Sequence, residues 1–236
     1  MIKVLVVPPR TIRNREIVRY SESRQITKNL QKINLLSKIS LMIKAIIFDL
    51  DGVFVTGPKF SERFMRDFGI SASEFMPVFE EIMSFVKKPG SADLYNYWQP
   101  YLVKWKVSLN EEQFLNYWFG SETIVPGMVE CARELKARGM EVIVLSNNFR
   151  ERSEYYQRTF PELFSNFDQI YFSWQTGFRK PDKGAYRFAL TQNHLNPSEC
   201  LFFDDSERNV EAASELGINA FLYEGPDHVK GKTDEL

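Results

Sequence analysis

A chain of 236 residues that is 44% hydrophobic and 14% aromatic can bury a sizeable core in one or two domains. Its 30 Lys and Arg against 31 Asp and Glu leave a net charge of −1, which excludes a global field gathering nucleic acid or an anionic membrane. No apolar run approaches the roughly 20 residues of a membrane span, and two cysteines make a poor disulfide framework for this length. Cys131 and Cys200 lie in apolar-patterned segments and are expected to be buried free thiols of a reducing, cytoplasmic compartment.

Residues 1–41 hold nine Lys/Arg against two Glu and no glycine, so the remainder of the chain is acidic. This basic leader is expected to be unstructured or not native, with Met42 as a real or alternative start; Glu16 and Glu22 weaken a reading as an organelle presequence. The ending Thr233-Asp234-Glu235-Leu236 is close to an ER-retrieval tetrapeptide, but without a secretory signal it has no receptor to meet.

From Ile43 the pattern alternates. Ile43–Leu50 is a continuous apolar run ending in Asp, as in a strand buried on both faces. From Gly57 to Ile124 the period is helical: Phe60, Phe64 and Phe68; Phe75, Phe79, Ile82, Met83 and Val86; Leu94, Trp98, Tyr101 and Trp105; Phe114 and Trp118. About 70 residues is too long for a bare loop, so 57–124 is expected to form an inserted helical cap domain with these stripes as its core. Some of Tyr95, Tyr97, Trp98 and Trp105 are expected to face a ligand instead.

Beyond the insert, helices are expected at Pro126–Arg138, Phe149–Thr159, Lys183–Thr191 and Glu207–Leu216. Strands are expected at Glu141–Leu145, Gln169–Phe172, Cys200–Phe203 and Asn219–Leu222. Strand and helix trading places with short turns predict an α/β fold, a Rossmann-like parallel sheet with helices on both faces. Its core would comprise 42–56 and 125–236.

Four polar spots fall where strands end: Asp49 with Asp51, Ser146 with Asn147, Lys180 in a turn before a helix, and Asp204 with Asp205. Each alone reads as a helix cap or a turn. In an open parallel sheet, however, the carboxyl ends of the strands share one edge, and ligands bind there. Four carboxylates and one lysine gathered at that edge need a further cation, and oxygen ligands around a partly hydrated site suit Mg²⁺. Mg²⁺, Lys180 and the Ser146 hydroxyl would grip a phosphoryl group. Asp49 could then attack phosphorus, and Asp51, on the same face of an extended chain, could move the protons.

"FDLDGV", "LSN", "RKPD" and "FFDDSERNVEAA" resemble the four ordered motifs of the haloacid dehalogenase superfamily, spanning Ile43 to Leu222, with an insert similar to its helical cap subclass. The resemblance implies Asp49 as nucleophile and Asp51 as acid/base, with the Asp51 main-chain carbonyl on Mg²⁺. It also implies Ser146, Asn147 and Lys180 on the phosphate, Asp205 on the metal, and Asp204 adjacent or acting through water. True dehalogenases lack the second aspartate of the first motif, so Asp51 argues for a phosphatase. The stretch from Ser146 to Asn209 is similar to small sugar-phosphate phosphatases, which implies a small phosphorylated metabolite as partner. A sugar-phosphate mutase shares the motifs. A signalling receiver, with the acidic pair first and no cap, fits less well, and an inactive scaffold would not keep every catalytic position filled. His194 and His228 match no motif and are expected at the surface.

Overall fold

Ala45-Ile46-Ile47-Phe48 carries no polar side chain, and it can therefore be covered on both faces. In the computed structural model, which describes residues 43–235, these four residues form strand β1 (Ala45–Phe48) and are wholly buried. The basic leader and the expectations attached to it lie outside the described residues. Parallel ladders join β1 to β4 (Glu141–Ser146) on one side and to β6 (Cys200–Asp204) on the other, with Phe48 opposite both Val144 and Phe203. β5 (Gln169–Phe172) and β7 (Asn219–Leu222) complete the order β5-β4-β1-β6-β7. The connection from β1 runs to one side of the sheet and that from β5 returns to the other, so the switch point lies at the carboxyl end of β1.

Several ends differ from expectation. The first strand spans only Ala45–Phe48, because Asp49 leaves the ladder after one bond from its N–H to the Phe203 carbonyl. The helix expected from Pro126 begins at Met128: Gly127, at φ +82°, is its N-cap and holds Pro126 in the preceding turn. The helix expected over Glu207–Leu216 ends at Ser214, where turns lead into Gly217 at φ +86°. His194 is exposed, whereas His228 is half-buried with its ring edge-on to Phe203 and Phe221. No described helix is long and apolar enough to cross a membrane.

The insert leaves and re-enters through two short antiparallel strands, β2 (Val55–Thr56) and β3 (Thr123–Ile124). Between them lie helices α1 (Phe60–Phe68), α2 (Ala72–Val86), α3 (Leu94–Lys104) and α4 (Glu111–Phe119). Reciprocal capping boxes, Ser71 with Glu74 and Asn110 with Gln113, start α2 and α4. The phenylalanine and tryptophan stripes meet in one aromatic core holding Phe64, Phe75, Trp98 and Phe114, with Phe60 stacked on Trp118 at 3.7 Å. Phe149, outside the insert, joins this cluster against Trp118 and Phe119. The insert is thereby seated beside the helix that follows β4, α6 (Arg150–Thr159), with α5 (Met128–Ala137) between β3 and β4.

Cys131 and Cys200 are both free and buried. Burial pushes the Cys131 thiol up to about 11 and the Cys200 thiol up to about 12, so neither supplies thiolate at neutral pH. Ellman's reagent at pH 8 should label neither thiol in the native protein and both in guanidinium; rapid native labelling would contradict this packing.

Candidate active site

Where β1 ends, the chain must turn sharply, and Gly52 permits it at φ +79°. The Leu50 carbonyl accepts from the N–H groups of Phe54 and Val55, and the Gly52 N–H donates to the Val55 carbonyl. This closed loop holds Asp49 and Asp51 at the sheet edge, with Asp49 buried. The Leu50 N–H donates to Asp49 Oδ1 at 2.7 Å.

Lys180 reaches the same edge from the loop after β5. Asn147 fixes that loop: its amide nitrogen donates to the Lys180 carbonyl at 2.7 Å, and its amide oxygen accepts from the Lys180 N–H at 2.8 Å. The buried Lys180 ammonium lies 2.9 Å from Asp49 Oδ1 and 2.6 Å from Asp204 Oδ2. Burial alone would depress Lys180, but the charges of Asp49 and Asp204 outweigh it and hold the ammonium above its usual range.

The neighbouring aspartates at the end of β6 are not equivalent. Asp204 is fully buried, and its other oxygen accepts from the Ser206 N–H at 2.9 Å and Asn209 Nδ2 at 2.8 Å. Asp205 is exposed and leans over Gly52, where a Cβ would stand 2.2 Å from its Oδ2. Asp49, Asp204 and Asp205 offer oxygens that all lie within 4.8 Å of one another. Burial pushes the Asp49 carboxyl up to about 7, with Lys180 pulling it down and Asp204 and Asp51 adding to the rise. At the end of β4, beside β1, the Ser146 hydroxyl is buried and has no hydrogen-bond partner among the described residues. A buried polar group left unpaired costs about 1–3 kcal/mol, an arrangement that suits a ligand site.

Asp51 stands slightly apart. Its Oδ1 accepts from Tyr156 Oη at 3.0 Å and pairs with Arg152 Nη2 at 3.0 Å; both partners lie on α6. Arg152 is gripped in turn by Glu122, just before β3. Over the site opens a cleft of about 410 Å³, bounded by Gly52 and Asp205 below and by Phe79, Met83, Lys87 and Trp118 of the insert. Burial pushes the Lys87 ammonium down to about 8.

All seven residues singled out in the sequence thus stand at or next to one sheet edge, but Asn147 spends its side chain on the Lys180 backbone. The aromatic residues expected to meet a ligand do not line the cleft: Trp98 is wholly buried and Tyr95 donates to the Leu109 carbonyl. Phe60, Phe79 and Trp118 line it instead. The sequence reading missed Glu122, Arg152, Tyr156 and Lys87. One signal was available, since Arg150 and Arg152 crowd the first turn of a helix, where the dipole disfavours cations.

Comparison with known proteins bears on this edge. Residues 43–217 match the family model of the haloacid dehalogenase-like hydrolases. The chain is 30% identical over 172 residues to bifunctional epoxide hydrolase 2 of Rattus norvegicus, a match covering 72% of this chain and 28% of that protein. Several other curated relatives are likewise spanned for less than a third of their length. A phosphorylated carbohydrates phosphatase of Thermotoga maritima is 28% identical over 186 residues, covering 75% of this chain and 82% of that one. Among solved structures, a HAD family enzyme of Bacteroides thetaiotaomicron superposes with a TM-score of 0.69 at 21% identity, over 78% of this chain and 94% of the other. That enzyme has also been solved with magnesium and inorganic phosphate.

Gly52→Ala should be costly twice over, through the left-handed backbone and through collision with the Asp205 carboxylate. A loss of about 1–3 kcal/mol is expected in thermal denaturation. Adding Asp205→Ala should return the part due to the collision; no recovery in the double variant would mean that backbone strain is the whole effect.

Proposed function

The chain belongs to the haloacid dehalogenase-like hydrolases, and we propose that within this family it removes phosphate from a small phosphorylated metabolite, in the first instance a sugar phosphate. The observation that carries the reading is the pairing of Asp49 with a buried lysine at the same edge as an idle, buried serine hydroxyl. A carboxylate nucleophile, a cation and a neutral donor are what a phosphoryl group requires. Its similarity to a phosphatase of phosphorylated carbohydrates supports the substrate class.

The donor set fits Mg²⁺. Three carboxylates converge within 4.8 Å around the single Lys180 ammonium, and all donors are oxygens. Asp49, the exposed Asp205 and the Asp51 main-chain carbonyl would hold the ion; Asp204, occupied by Lys180, Ser206 and Asn209, would act through water. When bound, Mg²⁺ supplies positive charge that offsets repulsion between a carboxylate and a phosphate dianion.

The residues of this chain divide the remaining work. An Asp49 oxygen bonds to phosphorus as the ester P–O bond breaks, and protonated Asp51 gives its proton to the departing oxygen. Lys180 and the Ser146 hydroxyl hold the phosphoryl oxygens, while the Asn147 side chain keeps Lys180 in place and leaves only main-chain groups for substrate. A water then attacks phosphorus, Asp51 takes its proton, and the Asp49–P bond breaks to release inorganic phosphate. The insert closes over the leaving group and sets its identity through the cleft.

A phosphate-release screen over phosphorylated sugars, nucleotides and alcohols tests the reading. Turnover of at least one sugar phosphate is expected with Mg²⁺, and loss of nearly all of it with excess chelator or in Asp205→Ala. Undiminished release in chelator would refute the metal site, and activity confined to non-sugar phosphates would refute the substrate class.

A further inference from the structure

We propose that Arg152 is a positioning residue for Asp51, itself anchored by Glu122, and that this chain of contacts aims the Asp51 carboxylate at the reaction. The inference rests on the acid–base role proposed above for Asp51.

Two donors reach Asp51 from one face of α6. Arg152 and Tyr156 are four residues apart, so their side chains lie one above the other on the helix. Arg152 Nη2 stands 3.0 Å from Asp51 Oδ1, and Tyr156 Oη donates to the same atom at 3.0 Å. Neither addresses Oδ2. One oxygen is thereby fixed by two donors while the other remains for proton transfer, the logic by which a third group orients a catalytic base.

The donors are themselves constrained. Tyr156 is wholly buried, and the Arg152 guanidinium lies over its ring at 5.1 Å from the centroid. Glu122 takes Arg152 with both oxygens, Oε1 2.6 Å from Nη2 and Oε2 3.3 Å from Nε. The fork geometry of guanidinium allows this two-point grip together with the contact to Asp51, which a lysine could not match. The Glu122 side chain is 7% exposed, so the grip is largely shielded from solvent. An exposed pair of this kind would contribute little. A shielded fork on a helix N-terminus, against the helix dipole, instead holds its guanidinium on Asp51.

Glu122 also gives the contact a direction. It immediately precedes β3, the strand by which the chain returns from the helical insert, and Gly57 on the outgoing connection packs against it. Asp51, Arg152 and Glu122 therefore join the β1 loop, α6 and the insert's return strand. Arg152 and Glu122 also line the cleft, but the polar contacts of Arg152 go to Asp51 and Glu122 and none goes to Ser146 or Lys180, which makes it a positioning residue.

A double-mutant cycle between Arg152→Met and Asp51→Asn in the full chain tests the proposal. With a phosphate ester of a poor leaving group, Asp51→Asn should lose about 10²–10⁴-fold in kcat. Arg152→Met alone should lose up to about 10²-fold in kcat, with KM changed by less than about twofold. In the Asp51→Asn background, Arg152→Met should cost nothing further. A residue that served stability alone would lower Tm and would leave the two kcat losses multiplying. Multiplying losses overturn the assignment of Arg152 while the acid–base role stands. An Asp51→Asn enzyme as fast as the parent would remove that role, and the proposal with it. If Arg152→Met does not fold, Tyr156→Phe and Arg152→Lys run the same cycle, and independence of both from Asp51 would equally overturn it.

Discussion

Three aspartates and one lysine crowd the carboxyl edge of β1 and β6, and the rest of the molecule is arranged around balancing them. The Lys180 ammonium sits between Asp49 and Asp204 with its side chain wholly buried. Taking such charges out of water is expensive, and it is repaid only when the remaining hydrogen bonds are made. They are made here: the Leu50 N–H serves Asp49, and the Ser206 N–H with Asn209 serves Asp204. Removing one member of a buried pair typically costs about 3–5 kcal/mol, because its partner is left uncompensated. Even so, three carboxylates face one ammonium, and the balance is incomplete. A site built with an excess of negative charge is stable alone but better satisfied with a cation and an oxyanion in it.

The fold supplies this concentration of charge through topology. β1 lies between β4 and β6, so the ends of three parallel strands deliver Asp49, Ser146 and Asp204 to neighbouring points. Asn147 brings in the fourth contributor by clasping the Lys180 peptide from both sides. The helical insert starts one short strand beyond Asp51 and returns at Glu122. Its aromatic core reaches outside the insert through Phe149, at the start of α6, and through Tyr155 on α6, the helix that also carries Arg152 and Tyr156. The contacts to Asp51 and the seating of the insert are therefore borne by the same helix.

Much of this was legible in the sequence, for physical reasons. Continuous apolar runs ending in Asp or Ser mark parallel strands buried on both faces, and the parallel sheet then brings their ends together. Helical spacing of Phe and Trp marked the helices that lie between β2 and β3. What was not legible involves long polar side chains whose partners are remote in the chain. Arg152 with Glu122 and Tyr156 with Asp51 are separated by 30 and 105 residues, and no local pattern encodes such pairs. The cleft-lining aromatics were misassigned for a related reason: helical periodicity identifies the buried face, and the margin of that face which meets the cleft depends on how the helices pack. Gly127 moved a helix start by overriding Pro126, a competition between two local signals that only the backbone decides.

In the proposed reaction Asp49 carries the phosphoryl group between substrate and water. Rapid-quench intact-mass spectrometry with nitrophenyl phosphate, followed by peptide mapping, tests it most directly. The Asp51→Asn protein should accumulate one phosphoryl adduct on Asp49, since a good leaving group needs no proton while hydrolysis of the adduct lacks its base. No adduct should form on the Asp49→Asn protein. A phosphorylated Asp49→Asn chain, or an adduct mapping to any other residue, would contradict it.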